Sequence, residues 1–289
     1  MGNWKKQIRI ALLAMTATLA AAFGSWFLAT GGQKPRPVEP PLAVKPVQTT
    51  TVEAPADPAP APSAEPPADP QKLALLDEKL AQAPDYTAFL TELRSLYPSD
   101  YDAAVKAALA NGVENHADAA DLFLAQAVQT LRQNRGLLGA KAGAETLDKL
   151  FDAHQQVLKQ LAQSDPALCV DFLNGAPADR FVAFASAHRA LMAAEAEAGL
   201  VAIDDGAHKK IDREAPTAAD FDDLEKLMLA KGVDPAGVAL LLDGKAPEPP
   251  LSDAQQCANG LVYLDAMKAL PDLQRLRLYA LALEVMAHE

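Results

Sequence analysis

Apolar and polar positions divide the chain into three segments with different patterns. An uncharged, mostly apolar run extends from Ile10 to Thr30. It is followed by a proline-rich segment that ends near residue 70. From residue 71 onward, apolar residues recur every three or four positions, which is the period of an amphipathic helix. The pattern therefore predicts a membrane segment, a linker and a folded helical domain, in that order.

The apolar run over 10–30 has the length of a transmembrane anchor, because a helix needs about 20 residues to cross a bilayer core. The positive charges of Lys5, Lys6 and Arg9 lie in a basic tail, residues 1–9, ahead of it. Positive charge marks the cytoplasmic side, so we expect the rest of the chain to be exported, here into a bacterial periplasm.

The two tryptophans of the chain flank the same segment. A helix would separate Trp4 and Trp26 by about 33 Å, which places both indoles near the membrane interfaces that such rings prefer. The alternative is a cleaved signal peptide, with Ala20 and Ala22 as the small residues of the cleavage site. The chain stays apolar beyond that site, through Phe27, and this favours an uncleaved anchor on the inner membrane.

Residues 31–70 form a linker in this interpretation. The stretch from Lys34 to Pro70 holds 12 of the 22 prolines of the chain and almost no large apolar side chain. Such a segment cannot bury a core and favours an extended polyproline conformation. At about 3.1 Å per residue it would reach roughly 110 Å, so we expect a tether that lets the domain act away from the membrane.

Residues 71–289 are expected to form an all-α domain of about ten helices. Alanine and leucine dominate its apolar residues, aromatic residues make up 6% of the chain, and no run with the period of a strand is evident. Helix starts are predicted by Asp69-Pro70, Ser99, Asn115, Asp234-Pro235 and Ser252. Charged residues and glycine interrupt the apolar pattern over 202–216, where Asp204-Asp205-Gly206 suggests a turn and a possible internal boundary.

The folded domain is strongly acidic. Residues 1–70 hold six Lys and Arg and five Asp and Glu, which leaves 20 basic and 33 acidic residues for 71–289. This charge would repel phosphate backbones, so nucleic acid is a poor partner. A basic protein partner or a solvated acidic surface fits it better.

Cys169 and Cys257 are the two cysteines of the chain, and both fall in the predicted exported domain. An even count in an oxidising compartment predicts one structural disulfide. Ser164 and Ser252 precede them in the shared pattern S-D-x-x-x-C, so each serine is expected to cap a short helix that carries its cysteine on the second turn. The alternatives are two buried free thiols or a redox-active pair, although no C-x-x-C motif or adjacent cation supports the latter.

Candidate chemistry is sparse. His154 and His188 fall on apolar faces of separate helices and could share an interior, with Asp152 or Glu195 as an acid–base partner. Neither H-E-x-x-H nor another zinc-ligand spacing is present, and a lone histidine in such a pattern is more often a core residue. The acidic cluster from Asp220 to Glu225 suits a helix start better than a calcium loop. We therefore predict no catalytic residue, cofactor or metal site.

Three functions remain open on the sequence alone. The first is a non-enzymatic, membrane-tethered domain that binds another exported or inner-membrane protein, as a scaffold, adaptor, chaperone or secretion accessory. An anchor, an Ala/Pro-rich linker and a helical domain are similar in layout to the lipase-specific foldases, whose signature motif this chain lacks. The second is an envelope enzyme with a non-contiguous site. The third is a bundle that binds a lipid or small molecule in an apolar cavity lined by Phe151, Phe181 and Phe184. Of the three, the sequence favours the protein-binding domain.

Overall fold

The computed structural model describes residues 69–174 and 180–287, and these ranges contain twelve α-helices and no strand. The all-α prediction is thus confirmed for the folded domain. The predicted basic tail, anchor and linker up to residue 68 lie outside the described residues, and so do the predictions made for Trp4 and Trp26. Within the described ranges, no helix is both long and apolar enough to cross a membrane.

The helices follow one another with short connections. Two short 3-10 helices, Pro84–Tyr86 and Val113–Asn115, lie between the early ones. The α-helices are α1 (Pro70–Ala81), α2 (Thr87–Leu96), α3 (Pro98–Ala110), α4 (Ala119–Gly139), α5 (Ala144–Ser164), α6 (Pro166–Asn174), α7 (Arg180–Ala187), α8 (Arg189–Lys209), α9 (Ala218–Ala230), α10 (Pro235–Asp243), α11 (Asp253–Ala269) and α12 (Asp272–Ala287).

Several helix starts match their predicted caps. Asp69 accepts a hydrogen bond from Gln71 N at 2.9 Å, and Asp234 accepts one from Gly237 N at 2.8 Å, each just before a proline at the first helical position. Ser252 forms a reciprocal capping box with Gln255 at the start of α11. Capping satisfies backbone donors that the helix itself leaves unpaired, which explains why these local patterns predict the boundaries well.

Other predicted boundaries are wrong. Ser164 does not cap α6: it is the last residue of α5, and its hydroxyl donates to Gln160 O, while Asp165 accepts from Leu168 N at 3.0 Å. The helices assigned to Ser99 and Asn115 begin instead at Pro98 and Ala119.

The turn predicted at residues 204–206 is also wrong, because α8 runs through it to Lys209. Asp205 there accepts a hydrogen bond from Gly143 N at 2.7 Å, at the start of α5. A tertiary contact thus uses a residue that local propensity would place in a turn.

Three helices of 21 residues each, α4, α5 and α8, form the centre of the domain, and α8 packs on both of the others. Of the N-terminal helices, α1 and α3 pack on α4, and α2 packs on α8. Further along the chain, α6 and α11 pack on α5, and α9 and α10 pack on α11. The last helix, α12, lies against α4 and α5, where the ring of Tyr279 stacks on Phe151 at 3.7 Å between ring centroids.

The cysteine pair joins α6 to α11. The sulfur atoms of Cys169 and Cys257 are at disulfide-bonding distance, and their α carbons are 5.8 Å apart. Both residues lie near the N-terminal ends of their helices, as the sequence predicts, and both are fully buried. The pair therefore ties the middle of the domain to its C-terminal helices.

Candidate functional site

A cavity of about 100 Å³ lies between α4, α5, α8 and α12, and it is partly open to solvent. This volume is of the same order as cavities of about 150 Å³ that hold a benzene-sized molecule. Its wall is mainly apolar and is built by Leu131 of α4, Leu150 and Phe151 of α5, Leu200 and Ile203 of α8, and Met286 of α12, among others.

Two glycines of α8 explain why the space exists at this position. At Gly206 the helix is so close to α4 that an added Cβ would lie 1.8 Å from the carbonyl oxygen of Leu138. At Gly199, two turns earlier and at the cavity wall, an added Cβ would have no atom within 4 Å. The helices therefore meet closely at one level and leave room at the other, where α8 has no side chain to fill the gap.

A histidine and a glutamate form the polar part of the wall on α5 and α8. His154 Nδ1 and Glu195 Oε1 are 2.7 Å apart, and the side chains are only 15% and 4% exposed. The second carboxylate oxygen of Glu195, Oε2, is buried and has no hydrogen-bond partner in the described part of the chain. Since an unpaired buried acceptor is costly, this oxygen calls for a ligand or solvent explanation.

Arg132 of α4 also lines the cavity and is only 9% exposed. Its guanidinium is positively charged at all ordinary pH values. The wall therefore combines a cation with the hydrogen-bonded His154–Glu195 pair.

The structure brings together one of the predicted acid–base combinations and not the other. His154 contacts Glu195, whereas Asp152 pairs at the surface with Lys268. His188 does not reach His154, because three phenylalanine rings separate them. Ring centroids follow at 5.2, 5.5, 5.8 and 4.6 Å along the series His154, Phe172, Phe181, Phe184 and His188.

This series also changes the predicted lining of the cavity. Phe151 contributes to the wall, whereas Phe181 and Phe184 belong to the ring series instead. The ring of Phe172 stacks against His154 and is fully buried, so it helps to hold the imidazole in its position beside Glu195.

The acidic residues at the start of α9 cap that helix. Thr217 and Asp220 form a reciprocal capping box, with Thr217 N donating to Asp220 Oδ2 at 2.7 Å. Asp223 accepts hydrogen bonds from Lys226 and Gln274. Within residues 69–174 and 180–287, no group of three or more His, Cys, Asp or Glu side chains is arranged to hold a metal ion.

The described lining residues supply few polar groups. They include no Ser, Thr, Cys or Lys side chain. They do supply a hydrogen-bonded imidazole, a carboxylate and a guanidinium next to an apolar space. Ligand sites commonly combine apolar walls with a few polar groups in this way.

Part of this site was not predicted from the sequence. Arg132, Gly199 and Met286 come from three different helices, and only tertiary packing brings them together. One signal was nevertheless present. Gly199 interrupts a long helical pattern, and an isolated glycine inside a helix costs about 1 kcal/mol relative to alanine, which usually reflects a packing or functional reason.

No protein-family model, curated protein or solved structure matches the chain.

Proposed function

We propose that the helical domain binds a small, mainly apolar molecule in the cavity between α4, α5, α8 and α12. The observation that carries this proposal is the combination of an apolar wall with the buried His154–Glu195 pair, one of whose oxygens has no partner among the described residues. A cavity that served packing alone would gain stability from filling, and burial of a carboxylate beside it would be a cost without benefit.

The chain as a whole would place this binding domain outside the cytoplasm. In this proposal the predicted anchor and proline-rich linker hold the domain on the exported side of a bacterial inner membrane. The protein-binding role favoured by the sequence stays a prediction. Capture of one exported or inner-membrane protein by cross-linking from the acidic surface of residues 71–289 would support it.

Methionine methyl groups offer a direct test of ligand binding. Met286 lines the cavity, whereas Met228 and Met267 are fully buried in α9 and α11, away from the cavity. Toluene is titrated into the full-length chain with ¹³C-labelled methionine methyls, and NMR shifts are recorded. We expect the Met286 resonance to shift with a dissociation constant at or below about 1 mM, while Met228 and Met267 stay unchanged.

A blocked variant separates binding in the cavity from nonspecific partitioning. Gly199→Leu places a side chain in the open space, so it should abolish the Met286 shift. Ala198→Leu is the matched control, because its position on α8 adjoins Gly199 but does not line the cavity. A Met286 resonance that does not move with toluene, or that moves equally in the Gly199→Leu chain, would contradict the proposal.

A further inference from the structure

We infer that the ligand of this cavity is a mainly apolar molecule with one hydrogen-bond donor, such as an O–H group, which it presents to the carboxylate of Glu195. This inference rests on the proposed function and adds the chemical class of the ligand. It follows from the hydrogen bonds of the cavity wall and from the size of the cavity.

The imidazole of His154 accounts for one half of the carboxylate. With Glu195 ionised, His154 donates its Nδ1–H to Oε1 over 2.7 Å, and this contact fixes the tautomer of the ring. Stacking of His154 on Phe172 keeps the ring in place. The Oε1 atom is therefore already engaged before a ligand arrives.

The other oxygen supplies the recognition. Glu195 Oε2 is buried and has no hydrogen-bond partner in the described residues, although the side chain borders an open cavity. A carboxylate oxygen is an acceptor only, so the group that satisfies it must be a donor. A purely apolar ligand, or one with acceptors alone, would leave this oxygen unpaired in a drier environment, which increases the cost of its burial.

The carboxylate also excludes an acidic ligand. A second carboxylate beside the buried Glu195 would meet like charge in a site where neither group is well solvated. The small volume further limits the part of the ligand inside the cavity to about the size of one aromatic ring.

Three probes of similar shape test the inference. Phenol has a donor, toluene replaces it with a methyl group, and anisole has an acceptor without a donor. Dissociation constants are measured on the full-length chain from the Met286 methyl shift, with the Gly199→Leu chain as the blank. The measured quantity is the ratio of phenol affinity to toluene affinity, divided by the same ratio in the Glu195→Leu chain. We expect this quotient to be about ten or more, because a hydrogen bond to a charged group is worth at least that factor. Anisole should show no such gain.

Variants at two positions of α8 identify the acceptor. Glu195→Leu should lower the phenol-to-toluene affinity ratio about tenfold or more, and Glu195→Gln should lower it less, because an amide oxygen is a weaker, neutral acceptor. Glu197→Leu makes the same change at a residue that does not line the cavity, and it should leave the ratio within about twofold. If Glu195→Leu does not fold, the Glu195→Gln chain decides the question.

The outcomes separate this inference from the proposed function. Equal binding of toluene, anisole and phenol in the cavity would overturn the donor requirement while leaving the proposed function in place. A phenol preference that survives in both Glu195 variants would overturn the assignment to this carboxylate. The absence of a Gly199-dependent shift with every probe would contradict the proposed function itself.

Discussion

Gly199 and Gly206 lie in the same helix and share the same intrinsic cost, but their surroundings differ. Replacing either glycine in a helix interior by alanine gains up to about 1 kcal/mol from propensity. For Gly199→Ala the new methyl meets no atom within 4 Å, so we expect the gain to appear as a higher free energy of unfolding. Urea denaturation of the full-length chain would measure it.

Gly206→Ala provides the comparison for that variant. Its Cβ would lie 1.8 Å from Leu138 O of α4 and 3.2 Å from Ala142 N of the α4–α5 connection. Both are backbone atoms, so α8 would have to move away from them. We expect a loss of at least about 2 kcal/mol, in line with other overpacked contacts. Equal effects of the two substitutions would show that the close approach at Gly206 is not required for stability.

Asp121 holds a buried network on α4. It accepts hydrogen bonds from Tyr86 Oη at 2.6 Å and from Arg189 at 3.0 and 2.8 Å, and its side chain is almost fully buried. Asp121→Ala would leave the hydroxyl of Tyr86 without its acceptor and the guanidinium of Arg189 with only Ser186 Oγ at 3.4 Å. We therefore expect a loss of about 3–5 kcal/mol in the free energy of unfolding.

A surface aspartate is the matched control for this variant. Asp212 also pairs with a cation, Lys141 at 2.8 Å, but its side chain is 85% exposed. Asp212→Ala should therefore change the free energy of unfolding by less than about 1 kcal/mol. Thermal unfolding of the Asp121→Ala and Asp212→Ala chains measures both effects. Similar losses in the free energy of unfolding would mean that burial of Asp121 is not what makes its interactions strong.

At the scale of helices, the pairing of Cys169 with Cys257 is the strongest constraint between distant parts of the chain. The two residues are 88 positions apart, for which the chain-entropy model gives about 4–5 kcal/mol as an upper value for a disulfide. We expect the unreduced full-length chain to show no thiol that reacts with maleimide, even when it is unfolded in urea, and two reactive thiols after reduction.

The Cys169→Ser/Cys257→Ser chain tests the energetic side of this prediction. It should unfold with a free energy about 2–4 kcal/mol lower than the oxidised chain, and adding reductant should not lower it further. Two readily labelled thiols in the unreduced chain would contradict a structural disulfide. So would an unchanged free energy of unfolding when the chain with both cysteines is reduced.

The sequence predicts helices well where local chemistry decides their limits. Asp69, Asp234 and Ser252 cap their helices as predicted, because each contacts a backbone amide two or three residues away. The prediction fails at residues 204–206, where contacts with the start of α5 outweigh turn propensity.

The cavity could likewise be predicted only in part, because it depends on tertiary packing. The pairing of His154 with Glu195 could be named from helical faces, whereas the positions of Arg132 and Met286 depend on how α4 and α12 pack.

At the scale of the whole molecule, burial changes the acid–base behaviour of every tyrosine. The chain has five tyrosines, and burial raises the pKa of each above the ordinary value of 10.0. For Tyr86 the hydrogen bond to Asp121 raises the pKa further, because the tyrosinate would face a carboxylate. The shared cause is the helical core, since these residues come from α3, α11, α12, a 3-10 helix and the α2–α3 connection.

The sign of these pKa shifts fixes the pH dependence of stability. A raised pKa means that the folded chain holds the phenolic proton more tightly than the unfolded chain. The contribution to stability is therefore complete below pH 10, and it is lost as the pH rises above 10 toward the folded values. We expect the free energy of unfolding to fall above about pH 10, and the tyrosinate absorbance of the buried Tyr86, Tyr263 and Tyr279 to appear only together with loss of helical circular dichroism. In urea the same absorbance should titrate near pH 10 without a structural transition. Titration of all five tyrosines near pH 10 in the native chain, with the helical signal intact, would contradict the burial of Tyr86, Tyr263 and Tyr279.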